Sequence, residues 1–152
     1  MNARERFEAT RRARPRLDEI KLLLMYDGED WKPQLNRTRT TDTSDPTANR
    51  AIYNVDERAE MLEALRKEER ELIQLIGESG TIIEAVRAGF NEKYADWLEW
   101  RYIDLWTWAQ FADELGMEQN KAREKVRYWC GVTFDWIDSV GVSRLLKGEI
   151  EI

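Results

Sequence analysis

The stretch TWAQFADELGMEQNKAREKVRYW, residues 107–129, decides the fold of the C-terminal half of the chain. Apolar side chains recur in its first part at the spacing of a helix: Trp108, Phe111, Ala112 and Leu115. Gly116 follows them and can take the left-handed conformation that ends a helix tightly, and a second helix is predicted to begin near Glu118. The stretch therefore predicts two helices joined by a short turn, which is the arrangement of a helix-turn-helix.

The second predicted helix has two faces of different chemistry. Its inward face follows spacings of four, three and four residues: Ala122, Val126, Trp129 and Thr133. Its outward face carries these polar side chains: Asn120, Arg123, Glu124 and Arg127, flanked by Lys121. Asn suits the edge of adenine, Arg suits guanine or phosphate, and Glu can accept a hydrogen bond from cytosine. The outward side chains therefore have the chemistry of base recognition in the major groove.

The charge of this helix differs from that of the whole chain. Residues 117–129 hold four basic and two acidic side chains, whereas the 152-residue chain has 24 basic and 30 acidic side chains and a formal net charge of −6. A negative protein repels DNA at long range, so DNA binding depends on a local cluster: Lys121, Arg123, Lys125 and Arg127. The first sixteen residues, with six Arg and two Glu, are a second candidate contact. A helical pair with a mixed-charge face is equally typical of bundles that bind no nucleic acid.

Composition excludes several classes of function. The chain has no histidine and one cysteine, Cys130, so it lacks Ser–His–Asp and Cys–His catalytic sites, imidazole metal ligands, an intramolecular disulfide and thiolate zinc clusters. A buried, inert thiol is the favoured explanation of Cys130. We therefore expect no enzymatic activity, no metal and no cofactor. No apolar run approaches the ~20 residues that cross a bilayer, and the N-terminus lacks a hydrophobic signal segment, so we expect a cytoplasmic protein without membrane contact.

The N-terminal half is predicted to be two helices separated by a linker. Residues 1–31 form a basic helical arm that is interrupted near Pro15, and residues 32–50 form a linker or loop. Residues 51–80 form a long amphipathic helix, which Gly77 and Gly80 end. The apolar stripe of this helix needs a partner, either the N-terminal helix in an antiparallel pair or a second copy of the chain in a homodimer. The pair within the chain is slightly favoured.

Residues 81–152 are predicted to form the helix-turn-helix domain, with further helices near residues 82–88 and 92–103. Twelve of the 16 aromatic residues lie between Phe90 and Trp136, so the core is expected there. Six tryptophans are more typical of core packing than of a ligand cage or a base-stacking platform: Trp97, Trp100, Trp106, Trp108, Trp129 and Trp136. The predicted class is all-α, a long helical hairpin or arm followed by a C-terminal helix-turn-helix bundle.

The run LEWRYID, residues 98–104, and the run from Trp106 to Gly116 together resemble the pattern of phage-encoded RinA/ArpU-like transcriptional regulators. The C-terminal part of those regulators is similar to the fourth conserved region of bacterial sigma factors. The sequence SDPTA at residues 44–48, before the long charged helix, is similar to the linker that precedes the helix-turn-helix in the same family. The resemblance covers about residues 40–137.

The resemblance implies a cytoplasmic, sequence-specific DNA-binding protein of a bacterial virus or prophage, which activates late or packaging genes through promoter DNA and host RNA polymerase. By position, residues 118–129 are the base-reading helix, and Thr107 lies near a phosphate. The residues that this implies for contact with double-stranded DNA are Gln119, Asn120, Lys121, Arg123, Glu124 and Arg127. Lys125 and Glu118 depart from the family pattern, which usually has an apolar residue and a Ser or Thr cap at these positions.

Two other functions remain open. A small phage protein that binds and inhibits a host protein complex, such as a defence nuclease, would use the acidic helical surface, and the net charge favours this alternative. A small DNA-packaging subunit could also use a helix-turn-helix and would have to oligomerise. The local positive charge of the helix and the family pattern favour the DNA-binding regulator.

Overall fold

The computed structural model describes the backbone of residues 1–25 and 45–148 and the side chains of residues 1–25 and 56–148. These residues form helices and turns, and no strand occurs among them. The elements are α1 (Ala3–Met25), α2 (Asp45–Gly89), α3 (Glu92–Leu98), a π-helical segment (Glu99–Ile103), α4 (Trp108–Leu115), α5 (Gln119–Val140) and α6 (Val142–Leu146). The all-α class predicted from the sequence is confirmed. Within the described ranges, no helix is long and apolar enough to span a bilayer.

Helix α1 runs without a break through Pro15, so the predicted interruption at this residue is wrong. Proline lacks the backbone N–H that a helix needs and costs about 3 kcal/mol in a helix interior. The apolar residues on both sides of it, Ala13 and Leu17, are buried. Their packing offsets the local cost of proline, which a propensity argument does not include. The predicted end of this helix at residues 27–28 lies outside the described residues.

Helix α2 is longer than predicted at both ends. It begins at Asp45, within the predicted linker of residues 32–50, whose first part lies outside the described residues. It also continues through Gly77 and Gly80 and takes in residues 82–88, which were predicted as a separate helix. Each glycine costs about 1 kcal/mol in a helix. The residues just after them, Ile82, Ile83 and Val86, are buried, and their packing holds the helix together across both glycines.

The chain divides into two compact units, of which the first comprises residues 1–15 and 73–152. Its core is aromatic at the centre. Phe7 of α1, Tyr102 of the π-helical segment and Phe134 of α5 form a triangle of rings with centroid separations of 5.5–5.7 Å. A buried hydrogen bond of 2.7 Å between the hydroxyls of Thr10 and Ser79 joins α1 to α2. The predicted aromatic core is therefore present, and α1 contributes to it.

The second unit comprises residues 16–72 and contains the remaining parts of α1 and α2. Leu17, Ile20 and Leu65 are its buried apolar residues among those described. Arg16 Nε donates to Glu68 Oε2 at 2.7 Å, and this bond lowers the pKa of the Glu68 carboxyl. In each unit α1 therefore contacts α2 of the same chain, as the favoured prediction had it.

The predicted helix over residues 92–103 is present, but its last turn is wider than an α-helix. In the π-helical segment Glu99–Ile103 the Asp104 N–H donates to the Glu99 carbonyl at 2.9 Å. The Trp106 N–H then reaches back to the Trp100 carbonyl at 2.7 Å, and Leu105 takes a φ of +58° between them. Such wide turns are rare and frequently occur at functional sites. The segment ends just before the stretch that carries the predicted binding residues.

Candidate functional site

Thr107 begins helix α4 with reciprocal hydrogen bonds. Its hydroxyl oxygen accepts from the Gln110 N–H at 3.3 Å, and Gln110 Oε1 accepts from the Thr107 N–H at 2.7 Å. This capping box satisfies two backbone N–H groups that a helix start leaves without partners. Thr107 is exposed, and its visible role is to cap α4. The Thr-x-x-Gln spacing is a signal for this cap that the sequence argument missed.

The turn between α4 and α5 has the geometry that the sequence predicts for Gly116. This residue ends α4 with φ +64° and ψ +39°, the left-handed region that favours glycine. The Met117 N–H donates to the Ala112 carbonyl at 3.1 Å, which closes the turn. Helix α5 then begins at Gln119, and the side chain of Glu118 makes no capping hydrogen bond. Two helices are thus joined by residues 116–118.

Helix α5 is anchored by its inward residues. Ala122, Val126 and Thr133 are fully buried, as predicted, whereas Trp129 is only partly buried. The indole of Trp129 stacks on the Tyr94 ring with centroids 4.8 Å apart and planes 10° apart. The predicted inward face is therefore present, with Trp129 at its edge.

All of the predicted DNA-facing residues on α5 are exposed, and so is Lys125: Gln119, Asn120, Lys121, Arg123, Glu124 and Arg127. Among the described residues, no carboxylate lies within 4.0 Å of the four cations of this row, Lys121, Arg123, Lys125 and Arg127. Other arginines are paired: Arg87 binds Asp96 and approaches Glu99 at 3.3 Å. The exposed residues of α5 from Gln119 to Arg127, which we call the α5 face, thus keep their charges available to a ligand.

The basic N-terminal residues form the start of helix α1. Their side chains differ in their contacts. Arg6 Nη1 donates to Glu78 Oε2 at 2.9 Å, which fixes this arginine within the protein. The Arg4 guanidinium instead lies 5.3 Å from the centre of the Phe134 ring. Arg11 is partly buried. The predicted second contact surface is therefore a set of separate arginines on a folded helix.

The six tryptophans from Trp97 to Trp136 pack in the core or at its border, as the favoured prediction had it. Trp97 is 1% exposed. Trp100 and Trp106 stack on each other with centroids 4.3 Å apart, and the edge of Trp106 meets Phe111 at 5.4 Å. Cys130 is buried in the same core, and burial raises the pKa of its thiol to about 12, despite the nearby Arg101 and Arg4. The thiol is therefore protonated and unreactive at neutral pH.

Arg101 is the residue that the sequence argument missed. Its guanidinium lies over the Trp108 ring, 4.2 Å from the centroid, and its Nη1 donates to the Trp106 carbonyl at 3.5 Å. Arg101 is partly buried, and burial lowers its pKa, with the neighbouring Arg11 adding to this effect. The signal available in the sequence was a basic residue within the aromatic run WRY, residues 100–102.

No family model, curated protein or solved structure matches this chain. The resemblance to RinA/ArpU-like regulators over about residues 40–137 therefore stays a prediction. Because a helical fold hosts many unrelated functions, the function has to be argued from the exposed surfaces themselves.

Proposed function

We propose that the chain is a sequence-specific, DNA-binding transcriptional regulator of phage or prophage late genes. In this proposal α4 and α5 act as a helix-turn-helix, and residues 118–129 enter the major groove of double-stranded DNA. The observation that carries the proposal is the α5 face, a row of exposed cations without carboxylate partners among the described residues.

The chemistry of the α5 face suits a duplex. Arg123 and Arg127 can donate in pairs to guanine or bind phosphates, and Asn120 can bind adenine through its amide. Residues 119–127 contain four basic residues and one acidic residue, whereas the net charge of the chain is −6. This local excess of positive charge supports binding at contact, while the rest of the chain limits non-specific attraction.

The packing beneath the α5 face supports precise positioning. Ala122 and Val126 are 0% exposed directly under the exposed row, and Phe111 of α4 is also 0% exposed. A face held on packed helices places its side chains more precisely than a loop does. In this arrangement the Thr107 hydroxyl, whose oxygen accepts from the Gln110 N–H, can donate its own proton to a backbone phosphate.

The test is equilibrium binding to labelled duplexes, measured by fluorescence anisotropy over a range of salt concentrations. One duplex comes from upstream of the neighbouring late genes, and a second, unrelated duplex has the same length and composition. We expect tighter binding to the first and a steep loss of affinity with salt. Equal retention on both duplexes at low salt would reject the regulator.

Arg127→Ala and Arg144→Ala form a matched pair for the same assay, because both arginines are exposed and only Arg127 lies on the α5 face. Arg127→Ala is expected to weaken binding by about 1–3 kcal/mol if the residue binds a base, with relaxed specificity at one base pair. Arg144→Ala should leave affinity unchanged. An equal loss in both variants would indicate a general effect of charge and contradict the assigned face.

A host protein as the partner is the second candidate, and two observations favour it. At the end of α1, Leu22, Leu23 and Met25 are 52%, 46% and 68% exposed, and the net charge of −6 suits a basic protein surface better than DNA. Under this alternative, one stoichiometric host protein is captured after nuclease treatment, and Met25→Asp abolishes its capture. Capture that disappears with nuclease rejects the host-protein partner in favour of a nucleic-acid partner.

A homodimer or a DNA-packaging oligomer would appear as a molecular mass that rises with protein concentration in analytical sedimentation.

A further inference from the structure

Four arginines from three elements surround one cavity in the first unit. The cavity has a volume of about 200 Å³ and lies among α1, the π-helical segment, α4 and α5. Its arginines are Arg4, Arg11, Arg101 and Arg127, and Glu8 is the one carboxylate among its lining residues. The lining therefore carries a formal excess of three positive charges. We call this cavity the arginine pocket.

Arg101 is a partly buried cation of this pocket without an ion pair among the described residues. It is partly buried, and no carboxylate within the described ranges lies within 4.0 Å of its guanidinium. Burial is the largest cause that lowers its pKa, and the positive charges of Arg11 and Arg127 lower it further. Glu8 is close enough to act in the opposite direction but does not form an ion pair with it. Burying a guanidinium among others of the same charge is unfavourable, and an anion in the pocket would remove that cost.

The aromatic contacts hold two of the guanidinium groups in place before any ligand arrives. Trp108 covers one face of the Arg101 guanidinium at 4.2 Å, and apart from the hydrogen bond that Nη1 donates to the Trp106 carbonyl, the N–H groups at its edge remain available to donate. Arg4 lies over Phe134 and against Gly131, where an added Cβ would lie 3.2 Å from Arg4 Nη2. Glycine at this position therefore gives the Arg4 guanidinium room to reach the pocket.

We propose that the arginine pocket binds a phosphate group. Each guanidinium presents N–H donors in a fixed fork that matches the oxygens of a phosphate, and several such groups can share one dianion. A phosphate can come from a free phosphate compound or from the backbone of a nucleic acid, and the chemistry of the pocket is the same for both. The proposal does not depend on the proposed regulator function. Arg4, Arg11 and Arg101 lie outside the α5 face, and only Arg127 belongs to both the pocket and that face.

The test uses the full chain, labelled with ¹⁵N and titrated with inorganic phosphate, with sodium chloride at matched ionic strength as the reference. The readouts are calorimetric heat and the side-chain Nε–H resonance of Arg101. We expect saturable one-to-one binding of phosphate and a shift of this resonance that chloride does not reproduce. A response that does not saturate, or that chloride reproduces, shows that the pocket binds no free phosphate and overturns it if the duplex also leaves Arg101 unaffected.

Arg127→Ala and Arg123→Ala provide a matched comparison. Both arginines are exposed, lie one helical turn apart on α5 and lose the same charge, but only Arg127 lines the pocket. Arg127→Ala is expected to weaken phosphate binding by about tenfold or more, because it removes a charge-assisted hydrogen bond, and Arg123→Ala should leave it unchanged. Arg101→Lys keeps the charge and loses the fork, and should weaken binding as well. Equal affinities in all three variants overturn the assignment.

A duplex added to the protein identifies the source of the phosphate. Displacement of bound phosphate from Arg101, or a shift of the Arg101 resonance that only the duplex causes, assigns the DNA backbone. Phosphate that stays bound assigns a free compound, and either result supports the pocket. If the chain binds no phosphate and Arg101→Lys leaves duplex binding unchanged, the arginine pocket is overturned. The proposed function is then unaffected. If the chain binds phosphate but no duplex, the arginine pocket is supported and the proposed function is rejected.

Discussion

The two halves of helix α5 differ in the size of the side chains that they bury in the protein. In residues 119–127 the buried residues are the small Ala122 and Val126, and the outward side is entirely polar and exposed. In residues 128–140 the buried residues include Phe134 and Ile137, which are 2% and 0% exposed. Larger buried side chains remove more apolar surface from water and stabilise the fold more. One helix therefore separates a second half that stabilises the fold from a first half that carries the proposed recognition residues.

The largest effect on stability is expected from the second half. Phe134→Ala removes a ring that packs against Phe7 at 5.5 Å and Tyr102 at 5.7 Å. We expect it to lower the free energy of unfolding by about 3–5 kcal/mol, because it leaves a cavity in the core. Urea denaturation followed by circular dichroism measures this change. A loss below about 1 kcal/mol would show that the second half is not the anchor.

A smaller effect is expected at the turn that begins the helix. Gly116 has a φ of +64°, and Gly116→Ala places a Cβ in the left-handed region at a cost of about 1–2 kcal/mol. Nothing lies within 4 Å of the added Cβ, so the cost comes from the backbone and not from a clash. Gly116→Asn is the matched control, since Asn tolerates this conformation better and should lose less stability. An equal loss in the two variants would contradict a backbone origin.

The smallest effect on stability is expected from the first half of α5. Arg123→Ala and Arg127→Ala replace exposed side chains whose guanidinium groups have no carboxylate partner among the described residues. The unfolding midpoint in urea should therefore be the same as that of the unsubstituted chain, even where ligand binding is lost. A clear drop in the midpoint would mean that these arginines stabilise the fold and that the two halves are not separable.

The parts of the fold that the sequence predicts correctly are those in which local pattern and tertiary packing agree. Gly116 follows an apolar helical stripe and ends it, and the polar residues that follow face away from the buried Ala122 and Val126. The exposure of the whole α5 face was predictable for the same reason. A periodicity of 3.6 residues identifies the outward side without knowledge of the partner helix.

The parts that it predicts wrongly depend on contacts between distant segments. Pro15 and Gly77 predict breaks locally, but Ala13 and Leu17 are buried beside Pro15, and Ile82 and Ile83 are buried further along the helix that contains Gly77. The arginine pocket was missed because Arg4 and Arg11 reach it from the N-terminus, far along the chain from Arg101. A sequence pattern shows that a residue is basic, but not which other basic residues share its cavity.

The π-helical segment Glu99–Ile103 makes the chain sensitive to a change in length. A π turn holds one residue more than an α turn, so loss of one residue here would let the segment close as a regular α-helix and would change the register of Arg101 relative to Trp108. Trp108 would then leave the guanidinium of Arg101. A one-residue deletion at this point is therefore expected to disrupt the arginine pocket through Arg101, while Trp108 can keep its contact with the Phe111 ring at 5.5 Å.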